Sequence, residues 1–179
     1  MFTEPKAWDN LQKKLVKGLA EYLIAQVEAG AEALQIFDSW LGGMSKEQYV
    51  VYVKPYLTEL IRLVRDKTDV PIIFFATGIN HLYSELADLD VEVLGLDWRC
   101  SFQEINQVLS GNFCLQGNID PLLLFADWEL IEKNLKRIMS EVEGLPAYVF
   151  NLGHGILPKT PIENVERLVN FINEYSYES

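Results

Sequence analysis

The sequence predicts an α/β protein whose strands run parallel, and three observations carry that reading. First, about five short apolar runs alternate along the 179 residues with segments of helical period. Second, each run stops in polar or glycine-containing residues: Asp38, Ser39, Asp97, Arg99, Gln116, Asn118, Asp120, Asn151 and His154 all follow strands and should gather at one end of the sheet. Third, 49% of the chain is hydrophobic, with no low-complexity linker and no alignable repeat, so residues 1–179 can bury one core as one domain. Periodicity alone leaves an open sheet and part of a barrel equally open.

The first helix begins near Pro5, which suits a first helical turn. Trp8, Leu11, Leu15, Leu19, Tyr22, Leu23 and Val27 then recur at helical spacing until Gly30. Ala33 to Phe37 is a compact strand that exits into Asp38-Ser39-Trp40-Leu41-Gly42-Gly43. Ser45 with Gln48 forms a capping-box pattern, opening a helix that carries Tyr49, Tyr52, Val53, Tyr56, Leu60, Leu63 and Val64. Pro55 interrupts it, which predicts a kink or two helices meeting.

Val70 to Phe75 reads as the second strand, with Ala76-Thr77-Gly78 as its exit and a short helix over Asn80 to Ala87. Val93 to Leu96 leads into Asp97-Trp98-Arg99, and Ser101 caps a helix through Leu109. Phe113 to Leu115 is the fourth strand, and Gln116 to Pro121 is its loop. Asp127 caps a helix to about Val142. The final strand, Tyr148 to Asn151, reads as buried, and Thr160-Pro161 opens a last helix through Tyr175.

Composition narrows the function classes. A formal charge of -11 speaks against nonspecific binding to nucleic acid or an anionic membrane surface. Cys100 and Cys114 are too few and too scattered for a disulfide scaffold and form no Cys-x-x-Cys pair, so a reducing cytoplasm is the expected setting. Residues 1 to 17 mix charges and lack the apolar core of a signal peptide, and no window reaches membrane-spanning length. Neither a Gly-x-Gly-x-x-Gly nor a phosphate-loop lysine pattern occurs, which speaks against dinucleotides and nucleoside triphosphates.

The stretch Asn151-Leu152-Gly153-His154-Gly155 is the sharpest chemical candidate. An imidazole stands between two glycines that can adopt positive φ or approach a ligand closely, where ligands of parallel α/β proteins bind. The bland alternative is a packed or capping histidine. For Ser39 it is a cap on the following turn. Asp97 and Trp98 suit loop bracing and cover, and Gln116, Asn118 and Asp120 suit turn chemistry.

Ile36-Phe37-Asp38-Ser39-Trp40, Gly95-Leu96-Asp97-Trp98, Leu115-Gln116-Gly117-Asn118-Ile119-Asp120-Pro121 and Asn151-Leu152-Gly153-His154-Gly155-Ile156 together resemble the uroporphyrinogen decarboxylase family. The similarity runs over almost the whole chain. It implies parallel βα units forming about half of a TIM (β/α)8 barrel, the carboxyl-terminal half, since a complete barrel takes about 250 residues. The amino-terminal arginine-rich motif, the pyrrole-binding aspartate and an active-site tyrosine of that family have no counterpart in these residues.

By that resemblance the substrate is a tetrapyrrole, uroporphyrinogen III. Its four acetate groups become methyl groups, giving coproporphyrinogen III in heme biosynthesis without a metal or organic cofactor. The matching site residues are Phe37 as pocket wall, Ser39 and His154 as carboxylate binders, and His154 also as the candidate catalytic proton donor. Thr77 stands where many relatives carry lysine, and Arg99 replaces a usually uncharged residue. As partners the resemblance implies a homodimer or association with an amino-terminal half. The competing readings are an inactive truncated or split-subunit fragment and a cobalamin-linked methyltransferase relative. The latter needs a His-x-Cys zinc motif that this sequence does not contain. An upstream reading frame encoding the other half would favour a split enzyme over an inactive fragment.

Overall fold

A computed structural model describes residues 1–175 of the chain. These divide into two compact units, one over Met1–Leu94 and one from Gly95 onward.

In the first unit, α1 (Pro5–Glu28) starts with its proline in the first turn, where no amide is missed, and ends before Gly30 at φ 106°. β1 (Leu34–Asp38) pairs in parallel with β2 (Ile72–Ala76), setting Leu34 beside Ile72 and Phe37 beside Phe75. Between them lie α2 (Lys46–Tyr52) and α3 (Lys54–Arg65), which meet at Val53 with Pro55 in the first turn of α3, one of the two outcomes expected there. The capping box forms as expected, Gln48 N–H donating to Ser45 Oγ at 3.2 Å and Ser45 N–H to Gln48 Oε1 at 2.9 Å.

The second strand begins two residues later than the sequence pattern suggested and extends through Ala76. Val70 is not a strand residue: its carbonyl accepts from the Arg65 guanidinium. The short helix is a 3-10 turn, Asn80–Leu82, running into α4 (Tyr83–Leu86), and β3 (Val93–Gly95) follows. Ile36 and Phe74 share one groove with Val16, Leu57 and Leu60, so these strand positions face the helices. Phe37 and Phe75 lie on the opposite face, their rings edge to face with centroids 6.0 Å apart. Tyr49 on α2 is fully buried, and its hydroxyl has no hydrogen-bond partner among the described residues.

The second unit contains α5 (Phe102–Val108), β4 (Cys114–Ile119), α6 (Trp128–Val142), β5 (Tyr148–Leu152) and α7 (Ile162–Glu174), with a 3-10 turn over Pro121–Phe125. Ser101 caps α5 by accepting from Glu104 N–H at 3.5 Å. β4 and β5 are parallel, with Leu115 beside Tyr148 and Asn118 beside Asn151. Gln116 through Ile119 are therefore strand rather than loop: pairing with β5 supplies backbone partners that local polarity does not reveal.

The last strand also departs from expectation. Instead of being buried throughout, β5 alternates half-buried Tyr148, Phe150 and Leu152 with exposed Val149 and Asn151. Only one face is covered, where Tyr148 meets Phe102 edge to face at 5.3 Å. Asp127 stands at the start of α6 but makes no side-chain capping bond; its carboxylate favours the helix start by charge alone. The final helix starts at Ile162, because Pro161 occupies the cap position, and Thr160 Oγ1 is buried without a hydrogen-bond partner among the described residues. No helix among the described residues is long and apolar enough to cross a membrane.

Candidate functional site

Each unit presents strand-exit loops whose backbone is held by one aspartate. In the first, Asp38 Oδ1 accepts from Trp40 N–H at 3.0 Å and Leu41 N–H at 2.9 Å, folding the chain back immediately after β1. The turn is thus made by Asp38, and Ser39, expected as a cap in its bland reading, is left exposed. The Ser39 carbonyl accepts from the Thr77 hydroxyl at 3.2 Å, so Thr77 braces the loop without adding charge. Phe37 is 67% exposed and Trp40 88%, so an aromatic surface flanks the serine. Gly42 lets the loop close, because a Cβ there would lie 2.3 Å from the Thr77 carbonyl oxygen.

In the second unit Asp97 is 1% exposed. Its carboxylate accepts from Arg99 N–H at 2.9 Å and from Arg99 Nη1 at 2.6 Å, and the guanidinium sits 4.0 Å from the Trp98 ring centroid. The positive charge of Arg99 is therefore committed to the neighbouring carboxylate. Buried Asn118 ties the loop down by donating through Nδ2 to the carbonyls of Asp97 (3.0 Å) and Cys100 (2.8 Å). Asp120 Oδ1 takes the Leu122 amide at 2.9 Å. The bracing roles expected for Asp97, Asn118 and Asp120 are the observed ones.

Around His154 the two glycines differ. Neither has positive φ, so the left-handed freedom expected of them is not used. A Cβ on Gly153 would meet Trp98 N at 2.6 Å, Asn118 O at 3.1 Å and Asp97 C at 3.1 Å, whereas Gly155 has open space. Gly153 is required by close approach to protein backbone, which seats the loop after β5 on the loop after β3 and on the end of β4. His154 itself is exposed. Its Nδ1 accepts from Gly155 N–H at 2.7 Å, so the neutral ring carries its proton on Nε2, a donor suited to a carboxylate.

The cysteines do not extend this site. Burial pushes the Cys114 thiol up, away from the reactive thiolate, and Cys100 Sγ lies 3.8 Å from Asp97 Oδ1. Among the described residues no three His, Cys, Asp or Glu side chains are grouped to hold a metal ion.

A family profile described as uroporphyrinogen decarboxylase (URO-D) matches residues 1–175. The chain belongs to the uroporphyrinogen decarboxylase family. It is 46% identical over 176 residues to the uroporphyrinogen decarboxylase of Koribacter versatilis (strain Ellin345), covering 98% of this chain and 50% of that protein. To the one from Geobacillus sp. (strain WCH70) it is 44% identical, with the same shares covered. Among solved structures, a methyltransferase from Methanosarcina mazei matches with a TM-score of 0.75 and 25% identity, over 89% of this chain and 47% of that one. The chain thus spans about half the length of the curated relatives it matches. Its fold is α/β, five parallel strands alternating with helices, and corresponds to part of a TIM barrel.

Three of the residues matched to the family's motifs lie at strand ends. Phe37 and Ser39 stand on the β1 exit of the first unit, and His154 on the β5 exit of the second. Asp38 is a loop brace that sequence reasoning left without a role. An aspartate followed at the second and third residue by amides to be turned is the signal that could have found it.

Proposed function

We propose that this chain supplies the carboxyl-terminal half of a uroporphyrinogen decarboxylase, in which Ser39 and His154 bind substrate carboxylates and Phe37 walls the macrocycle. One observation carries the reading. In a chain matched by the family profile over residues 1–175, Asp38, Asp97 and Asp120 are spent on bracing exit loops while Ser39 and His154 stay exposed.

The reaction needs that division of labour. Loss of carbon dioxide from an acetate arm leaves an electron pair on the arm's carbon, and the pyrrole accepts it once a ring carbon has been protonated. Proton return to the arm gives the methyl group, so each cycle replaces a carboxylate by hydrogen and releases carbon dioxide. The protein must hold the other carboxylates still, a task for neutral donors and cations. His154 with its proton on Nε2 fits the donor role. To act as an imidazolium it would have to give up the Gly155 N–H to Nδ1 bond, so we assign it carboxylate binding first.

The family's arginine-rich segment is not among these residues, so the chain needs an amino-terminal half, and by itself should release no coproporphyrinogen. The test completes the barrel by co-expression with the unmatched half of the Koribacter versatilis relative and compares His154→Asn with the parent. A carboxylate-binding His154 predicts weaker substrate affinity by about 1 to 3 kcal/mol with partly decarboxylated intermediates accumulating. A proton donor predicts instead a drop of about a hundredfold in maximal rate. Unchanged affinity, rate and product pattern would sink the assignment, as would full activity of the chain alone.

A further inference from the structure

We infer that the groove between α6 and the end of β4 binds an apolar carboxylate of two or three fused rings, with its carboxylate on Arg137. The inference concerns the second unit alone and stands apart from the assignment of Ser39 and His154.

The groove measures about 500 Å³, within the usual range for small-molecule sites. Leu130, Asn134, Arg137 and Ile138 reach it from one face of α6, at the helical spacing i, i+4, i+7 and i+8. Its other walls are the end of β4, the 3-10 turn that follows and the Trp98 indole. The space is no seat for a further strand, because β4 is already bonded on both edges. Leu96 N–H donates to the Gln116 carbonyl on one side, at 2.7 Å, and β5 pairs on the other. Yet Leu122 is 61% and Leu130 48% exposed, so the groove carries apolar surface that the unit itself leaves uncovered.

The polar groups decide what fits. Arg137 donates through Nη1 to Glu141, one turn on, while its Nε and Nη2 have no partner among the described residues. Arginine before glutamate is the weaker order for a helical ion pair, and water screens it at this surface, so the guanidinium is open to a ligand oxygen. At the strand end Asp120 gives Oδ1 to the Leu122 amide, and its charge would repel an anion. A carboxylate therefore belongs at Arg137, with the apolar body running toward Trp98. From Leu130 to Arg137 the wall extends seven residues, about 10 Å. Spread over that length, the volume is broader than one alkyl chain, which favours fused rings over a fatty chain.

Occupancy there bears on the His154 loop. Ile119, in the groove wall, accepts from Gly153 N–H at 2.7 Å, and Gly153 also lies close against Trp98 N and the Asn118 carbonyl. A ligand that fixes Trp98 and Ile119 stiffens the seat of that loop while sharing no residue with Phe37, Ser39 or His154. The groove is thus an effector position.

The probe is naphthoate, titrated into the purified chain, with naphthamide as its uncharged counterpart. The indole N–H resonance of Trp98, identified by its loss in Trp98→Phe, should shift saturably, and exchange of the Gly153 amide should slow at least about threefold. The carboxylate should bind at least about tenfold tighter than the amide, as one charge-assisted hydrogen bond allows. Arg137→Gln should remove that margin, and Glu141→Gln, which frees the guanidinium, should widen it, both with the parent's circular dichroism.

Equal binding of the two probes, a margin that survives Arg137→Gln, or naphthoate bound with Trp98 unmoved would overturn the inference. So would a Trp98 shift driven by protein concentration without naphthoate, which would give the groove to a second copy. Binding that leaves Gly153 exchange unchanged would overturn the effector role.

Discussion

The exit loops after β1 and β3 are both folded by an aspartate, yet the two carboxylates live in different surroundings. Asp38 is half-buried and takes two backbone amides, the ordinary device of a turn. Asp97 is almost fully buried, takes an amide and an arginine, and sits under backbone that Asn118 holds from β4. The first loop can therefore present Ser39 and Trp40 to solvent while Asp38 and the Thr77 hydroxyl brace its backbone. The second is a joint of three strand ends, on which the His154 loop rests through Gly153. The same residue type thus supports a display loop in one unit and a keystone in the other.

The largest effect that would test this contrast is at the glycines beside His154. Gly153→Ala forces a methyl group against the backbone of the β3 exit loop and the end of β4 and should cost about 3 kcal/mol, while Gly155→Ala should stay within about 0.5 kcal/mol. Denaturant unfolding of both variants measures the difference. Equal stabilities would mean that the β5 loop does not rest on the β3 exit loop and the end of β4.

Next comes the aspartate pair itself. Asp97→Ala removes the buried carboxylate to which the Arg99 amide and guanidinium donate and should cost about 2 kcal/mol. Asp38→Ala removes a turn brace and should cost about 1 kcal/mol, with Ser39 mobility rather than global stability the more sensitive readout. A reversed order in thermal unfolding would overturn the keystone reading.

The smallest effect concerns acid. Burial pushes the Glu92 carboxyl up, but Arg65, at 2.5 Å, and the Ile72 amide, at 2.7 Å, outweigh it and hold the group below its ordinary value of 4.5. A depressed carboxyl contributes stability above its unfolded value and loses it as pH falls through the folded one. Below pH 4.5 the parent should therefore lose stability that Glu92→Gln never had. The gap should be under about 1 kcal/mol, because the side chain is half exposed and water screens the pair. Parallel pH–stability curves for the two proteins would count against it.

Legibility in the sequence followed the range of the forces involved. The helix start at Pro5 was readable from the proline itself, and those at Ser45 and Ser101 because their caps are made three residues on. The order of strands and the polar character of their ends were readable from period and punctuation. What could not be read was the work of neighbours. Gln116 and Asn118 look like turn residues until β5 pairs with them, and β5 looks buried until one of its faces is found exposed. Gly153 and Gly155 are indistinguishable by residue type, yet only one touches another loop. Of the site residues, His154 and Ser39 stood out through the family's motifs, whereas the direction of the His154 proton depends on an amide one residue away whose orientation no motif encodes.

The buried hydroxyl of Tyr49 turns this contrast between local and distant forces into an optical property. Burial, then the fields of Asp88, Glu85 and Asp38, push its phenol up well beyond the ordinary tyrosine range. The folded first unit thus favours the protonated ring. Its contribution is complete below the unfolded value of about 10 and drains away as pH rises, because the unfolded chain can release that proton and the folded one resists. In an alkaline titration of the eight tyrosines, the ultraviolet band of the Tyr49 phenolate should remain dark while the first unit holds. Its late appearance would mark the moment at which α2 opens to water, a built-in chromophore for the integrity of the unit that displays Ser39.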